Sequence, residues 1–197
     1  MEMRKGETEK NRERKRLTAG DWADAALAAM AERGLAGVAV EPLAARLGTT
    51  KGSFYWHFTN RDALVAAALE RWEEICTEQT IVAVEAEADP EKRLRTMLHH
   101  ATTSAADDPL EVSLLATAAD PRVAAVLQRV TERRIGYVAG LFEELGFGAQ
   151  EAARLGLLAY SSYLGHTQLS HAVPHVLPAG AGRDAYLESV IDTLLRR

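Results

Sequence analysis

Between Thr49 and Arg61 the chain gathers hydroxyls (among them Thr49, Thr50 and Ser53), a phenol (Tyr55), an indole (Trp56), an imidazole (His57) and two cations (Lys51, Arg61), with Gly52 among them. Phe54 and Phe58 stand four residues apart, so on a helix they share one face and leave the polar groups on the others. An exposed set of hydroxyls, cations and aromatics adds little to stability. It is well suited to phosphates and base edges. Polar side chains and helix N-terminal N–H groups hold phosphate and fix register, while base edges carry sequence information. The plainer alternative is an ordinary helical hairpin with a solvated outer face.

The surrounding pattern supplies elements to position this segment. A first helix is predicted from about Thr18 to Arg33, with Trp22, Ala26, Ala29 and Met30 on its apolar face and Gly34 at its stop. A short helix follows over Glu41–Leu47, with Pro42 tolerated in its first turn. Gly48 permits a sharp turn, and Thr50 is placed to N-cap a third helix through about Phe58. Thr59-Asn60-Arg61-Asp62 has the form of a capping box opening a long fourth helix lined by Leu64, Ala68, Trp72 and Ile75. Beyond Asp89-Pro90, helices are predicted near 91–107, 110–119, 121–145, 149–172 and 184–196. No alternating strand run interrupts them. The expected fold class is all-α: an N-terminal three-helix helix–turn–helix followed by a C-terminal helical bundle.

Charge is distributed unevenly. The formal sum is −5, yet residues 1–71 carry twelve basic and ten acidic groups, net +2, and residues 72–197 carry eleven and eighteen, net −7. Residues 1–17 are expected to form a flexible basic arm. It holds seven basic groups (Arg4, Lys5, Lys10, Arg12, Arg14, Lys15, Arg16) against four Glu, a composition fit for phosphate or minor-groove contacts. The single cysteine, Cys76, forms no internal disulfide and offers no zinc-type spacing. No secretory leader is recognisable, and the uncharged run Leu155–Gly182 is too polar for a membrane span. A cytoplasmic protein with no membrane partner is expected.

Asp24-Ala25-Ala26-Leu27, Glu32-Arg33-Gly34, Leu43-Ala44, the run Lys51 to Phe58, and Leu64 together resemble the DNA-binding domain of TetR-family transcriptional regulators. The resemblance spans about residues 18–65 and is uninterrupted in spacing. It implies that Thr49 and Thr50 sit at the start of a recognition helix, with Thr50 capping it and touching phosphate. Lys51 would contact phosphate or a base edge, and Gly52 would let the backbone approach DNA. Ser53 and Tyr55 would face the groove, with Tyr55 and His57 reaching phosphates. Trp56 would give an apolar contact to a thymine methyl or sugar, and Arg61 would clamp phosphate. Two positions depart from the family pattern. Val38-Ala39-Val40 offers no hydroxyl before the second helix, and Thr49 replaces a usually apolar residue.

The same resemblance implies that residues 66–197 bind an effector and dimerise. Gly156, Ala159 and Ser162, with Tyr186, Leu187, Val190, Ile191 and Leu194, are the candidate dimer interface. Candidate ligand-lining groups are His99, Leu115, Tyr137, Phe142, Tyr160, Tyr163 and His166, which suit a mostly apolar ligand with a hydrogen-bonding group. The expected function is a ligand-responsive repressor, a homodimer on a near-palindromic double-stranded operator, released by a small-molecule effector. A helical small-molecule-binding protein with no DNA role is the alternative. Glu-x-x-His, His-Glu-x-x-His and Gly-x-Ser-x-Gly patterns are all missing from the sequence, so no enzyme, cofactor or metal is expected. Gly180 to Ala185 formally fits a dinucleotide fingerprint but follows a Pro-rich loop rather than a strand.

Overall fold

A computed structural model of the chain describes residues 17–107 and 109–196. The expected basic arm falls almost wholly outside the described residues. The helices are α1 (Ala19–Arg33), α2 (Val40–Arg46), α3 (Lys51–Phe54), α4 (Arg61–Glu73), α5 (Gln79–Glu85), α6 (Pro90–Asp107), α7 (Leu110–Ala116), α8 (Pro121–Glu144), α9 (Ala149–Ala172) and α10 (Ala181–Leu195). Among the described residues there is no strand.

Helix α1 begins with a reciprocal capping box. Asp21 donates its backbone N–H to Thr18 Oγ1 (3.2 Å), and Thr18 donates its own to Asp21 Oδ2 (2.7 Å). Trp22, Ala26, Ala29 and Met30 turn inward as the periodicity requires. Gly34, at φ 66°, closes the helix, its N–H donating to Met30 O. Helix α2 starts without a side-chain cap, as expected from the missing hydroxyl at 38–40. Gly48, at φ 64°, makes the turn into α3.

Helix α3 is shorter than the sequence implies. It ends at Phe54, and Tyr55–His57 form tight turns in which the His57 N–H donates to Phe54 O at 2.9 Å. Thr50 has N-cap backbone angles, but its hydroxyl accepts no capping bond. The cap at the fourth helix is Asn60, whose Oδ1 accepts from the Ala63 N–H.

Helices α4 and α5 run on from each other through a π-turn, Glu74–Glu78. The extra residue shifts the buried face. The stripe Leu64, Ala68, Trp72 would continue at Cys76 in a regular helix, but Thr77, Ile81 and Val84 are the buried residues beyond it. No regular periodicity announces that step.

One apolar core joins the N-terminal helices to the body. Trp22, Met30, Leu43, Phe54, Leu64 and Leu69 pack in the same cluster as Leu110 and Leu114 of α7 and Val123 to Val130 of α8. Ser113 adds a hydrogen bond to Met30 O. Residue 65 is therefore not a break in packing. A second core, around Leu94, Leu141, Phe142 and Ala152, ties α6, α8 and α9 together. No helix among the described residues is long and apolar enough to cross a membrane.

Candidate nucleic-acid interface and internal cavity

Phe54 organises the first site. It is fully buried, meets Trp22 edge-on at 5.4 Å and stacks on Phe58 at 5.7 Å. With that ring fixed inward, the other faces of the segment turn to solvent. Trp56 is 85% exposed and Tyr55 56% exposed, while Ser53 and His57 are half-buried and Thr49 partly so. Thr50, Lys51 and Gly52 are exposed.

Gly52 has no internal reason to be glycine. A Cβ there would meet only Thr50 Oγ1, at 3.5 Å, and its φ is not in the left-handed region. An exposed helical glycine costs about 1 kcal/mol relative to alanine. Gly37 is the contrast: a Cβ there would strike Ala29 O at 2.7 Å, so the chain itself demands glycine.

The cations of this face are already engaged. Lys51 bonds to Glu41, which raises the lysine pKa and lowers the glutamate pKa, chiefly through the shared hydrogen bond. Arg46 pairs with Glu32 and Arg71 with Asp24. Both sides of each pair are well exposed, so the pairs exchange readily with solvent or another anion. Arg61 is engaged with backbone carbonyls. Its Nε donates to Val38 O (2.6 Å) and its Nη2 to Leu35 O (2.7 Å). It braces the turn before α2 against the start of α4, and those two donors are unavailable to phosphate.

The second site is a cavity of about 240 Å³, partly open to solvent, between α4, the π-turn, α5, α6, α7, α8 and α9. Tyr160 and Tyr163 line it, as placed from sequence. The other five candidates lie elsewhere. His99 bonds to Glu188 of α10, and it is the neighbouring His100 that reaches the cavity. Leu115 packs on the first core, while Phe142 and Tyr137 belong to the second. His166 stacks on Tyr186 at 6.0 Å, on the α10 side.

Sequence reasoning missed the charged heart of this cavity. Arg134 Nη1 donates to both Glu111 oxygens at 3.0 Å, its Nε to Thr77 Oγ1 and its Nη2 to Cys76 O. Tyr163 donates its hydroxyl to Glu111 Oε2 at 2.6 Å. The Arg134 and Glu111 side chains are only 12% and 8% exposed. Burial opposes the guanidinium charge, but Glu111 outweighs it and holds the Arg134 pKa above its usual value. Burial and then the Glu111 charge push the Tyr163 phenol up, so it stays neutral. A signal did exist. Val123, Leu127, Val130, Val138 and Leu141 form the buried stripe of α8, and position 134 falls in line with it.

Gly156 and Ala159 face inward as well. A Cβ on Gly156 would meet Ile135 O at 2.9 Å, so this glycine lets α8 and α9 approach each other within the chain. Ala159 lines the cavity. Leu187, Ile191 and Leu194 are buried and Val190 is half-buried, whereas Ser162 and Tyr186 are exposed. The outward apolar residues of α9 are Leu157, Leu158 and Leu169. Among the described residues, no three His, Cys, Asp or Glu side chains gather to hold a metal.

Residues 23–68 match the model of the family described as bacterial regulatory proteins, tetR family. That match covers the helix–turn–helix head, about a quarter of the chain. The whole fold also resembles solved structures. A transcriptional regulator from Rhodococcus sp. Rha1 superposes with a TM-score of 0.71 at 22% identity, over 90% of this chain and 94% of that one. SmeT, the repressor of the Stenotrophomonas maltophilia multidrug efflux pump SmeDEF, gives 0.66 at 19% identity over 92% of each chain. AibR, solved with isovaleryl coenzyme A and operator DNA, gives 0.63 at 16% identity over 89% of this chain and 96% of its own. No curated protein matches by sequence. The family match is confined to the head, and the whole chain, helical body included, shares the fold of these structures.

Proposed function

We propose that the protein is a ligand-responsive transcriptional repressor that binds a near-palindromic operator as a homodimer in the cytoplasm. The observation that carries this reading is the solvent-facing side of the segment from Thr50 to Trp56, with its unforced glycine, in the region that matches the TetR-family model. The residues proposed to meet DNA are Thr49, Thr50, Lys51, Gly52, Ser53, Tyr55, Trp56 and His57. Lys51 would exchange Glu41 for phosphate, and Gly52 would let a sugar–phosphate strand pass close to the backbone. Arg61 acts one step back, as a brace for α2.

We place residues 18–65 as the reading head, residues 66–197 as the effector and dimer body, and residues 1–17 as an arm adding phosphate contacts. The dimer face is proposed on the outer side of α9, where Leu157 and Leu158 are 54% and 53% exposed beside Ser161, Ser162 and Gly165, and on Tyr186 of α10. A two-fold axis there sets two heads at the spacing of successive major grooves. No catalytic step is part of this reading.

Effector binding would act through α4. Leu64 to Leu69 belong to the head core, Trp72 touches both the core and the cavity, and Cys76 and Thr77 line the cavity. From α8, Arg122 reaches Asp62, Arg129 reaches Glu73 and Arg133 reaches Glu78, so the helix is gripped along its length. A ligand that prefers one setting of this helix changes the separation of the heads, and only that preference can drive release.

Selection from a random double-stranded oligonucleotide library with the purified chain tests the reading. A two-fold-symmetric enriched motif is expected. Enrichment of no sequence would favour the second reading, a carrier, for which the cavity alone would suffice.

A further inference from the structure

The cavity wall holds two full charges, and both are spent on each other. Arg134 and Glu111 form a forked pair, Thr77 Oγ1 and Cys76 O take further guanidinium donors, and the Tyr163 hydroxyl closes on Glu111. The guanidinium also lies 5.5 Å from the Trp72 ring centroid. A ligand carboxylate could bind Arg134 only by drawing it from Glu111, leaving a buried carboxylate beside a second negative charge. A ligand ammonium could bind Glu111 only by stranding a buried guanidinium. Uncompensated charge of this kind is strongly unfavourable. An uncharged ligand disturbs neither partner.

The rest of the wall is soft and apolar. Trp72, Ile81, Met97, Val138 and Tyr160 dominate it, and the Tyr160 hydroxyl is directed to Thr131 at 3.1 Å. Thr80 and the exposed His100 are lining polar side chains for which no hydrogen bond exists among the described residues. Volume sets the size. A dry apolar cavity of about 150 Å³ holds benzene, so about 240 Å³ takes about ten non-hydrogen atoms within its walls, with the open side beside His100.

We propose that the effector is an uncharged, mostly aromatic molecule the size of a fused bicycle, with one hydroxyl or carbonyl directed to Thr80 and His100. This rests on the reading of the cavity as the effector site. Ligands that carry a carboxylate, a phosphate or an ammonium are disfavoured by the closed Arg134–Glu111 pair.

Calorimetric titration of the full chain at pH 7 with 2-naphthol, 2-naphthoate and 2-naphthylmethylammonium separates the possibilities, because the ring is constant and the charge changes. The expected result is 2-naphthol binding at least about a hundredfold more tightly than either ion, the order of penalty that one unpaired buried charge imposes. Either ion binding as tightly, or no probe binding at all, overturns the ligand class. Ala101→Trp, which fills the cavity from α6, should abolish 2-naphthol binding. Unchanged 2-naphthol binding in that variant overturns the cavity reading itself, whereas an ion that binds the native chain and is lost in the variant overturns only the class. Glu111→Gln should raise 2-naphthoate affinity at least about tenfold by freeing the guanidinium; no gain contradicts the proposal. If that variant fails to fold, the three-probe comparison on the native chain decides.

Discussion

In the head, the rings of Trp22 and Phe54 are fully buried while Tyr55 and Trp56 stand in solvent among hydroxyls. In the body the placement is reversed. Arg134 and Glu111 sit inside, around empty space, and Leu157 and Leu158 stand outside. A close-packed core holds a short external segment in one shape, which suits reading a rigid surface such as DNA. In the body a closed ion pair lines a cavity instead of a surface, and α4 runs from one region to the other.

Breaking the head core should have the largest effect. Phe54→Ala removes the ring that orients the whole reading segment and should cost about 3–5 kcal/mol, measured by denaturant unfolding. A loss below about 1 kcal/mol would mean the segment is not held by that core. In the body, Gly156→Ala places a Cβ against Ile135 O and Ala139, with an expected cost of about 1–3 kcal/mol in the same assay and a change in cavity affinity. An unaltered Tm would show that the α8–α9 contact is looser than described.

Charge sharpens the contrast further. Residues 17–71 hold five basic and six acidic groups, so the positive excess of the N-terminal third comes from residues 1–16. Removing residues 1–16 should weaken operator binding at low salt and lower the slope of log K against log salt by about one or more. A slope equal to that of the full chain would assign the arm no phosphate contact. The smallest effect belongs to His166. Burial, then Arg183, holds its imidazole below the ordinary histidine value, so the unfolded chain takes up the proton more readily than the native one. Stability is level above about pH 6.5 and falls as pH drops from there through the native value. His166→Gln should flatten the Tm profile between pH 7 and 5, and an unchanged profile would place the acid sensitivity elsewhere.

The head was legible because its information is local. Phe54 and Phe58 four apart, Gly48 at a turn and Gly34 at a stop each state their role within a few residues. The bracing role of Arg61 is not legible in sequence, because its partners, Val38 O and Leu35 O, are backbone atoms that no side-chain pattern announces. The cavity depends on helix rotation, which hydrophobic spacing sets only loosely on helices as apolar as α9. There, Gly156 and Ala159 fit an outer or an inner face equally well from sequence, and packing against α8 chose the inner one. The π-turn at Glu74–Glu78 moved the buried register of the α4–α5 helix by one residue, and Arg134 on Cys76 O is its visible partner. Arg134 itself could have been flagged as a charge standing in an apolar stripe.

The central claim is that the exposed segment at the start of α3 binds DNA while the core beneath it only holds it in place. Fluorescence anisotropy of a selected operator duplex with Lys51→Ala/Tyr55→Ala tests this directly, because both side chains are outside the core. A loss of affinity of roughly a hundredfold is expected, the sum of two contacts of ordinary strength, with Tm and dimer mass unchanged. Operator binding equal to that of the native chain would contradict it.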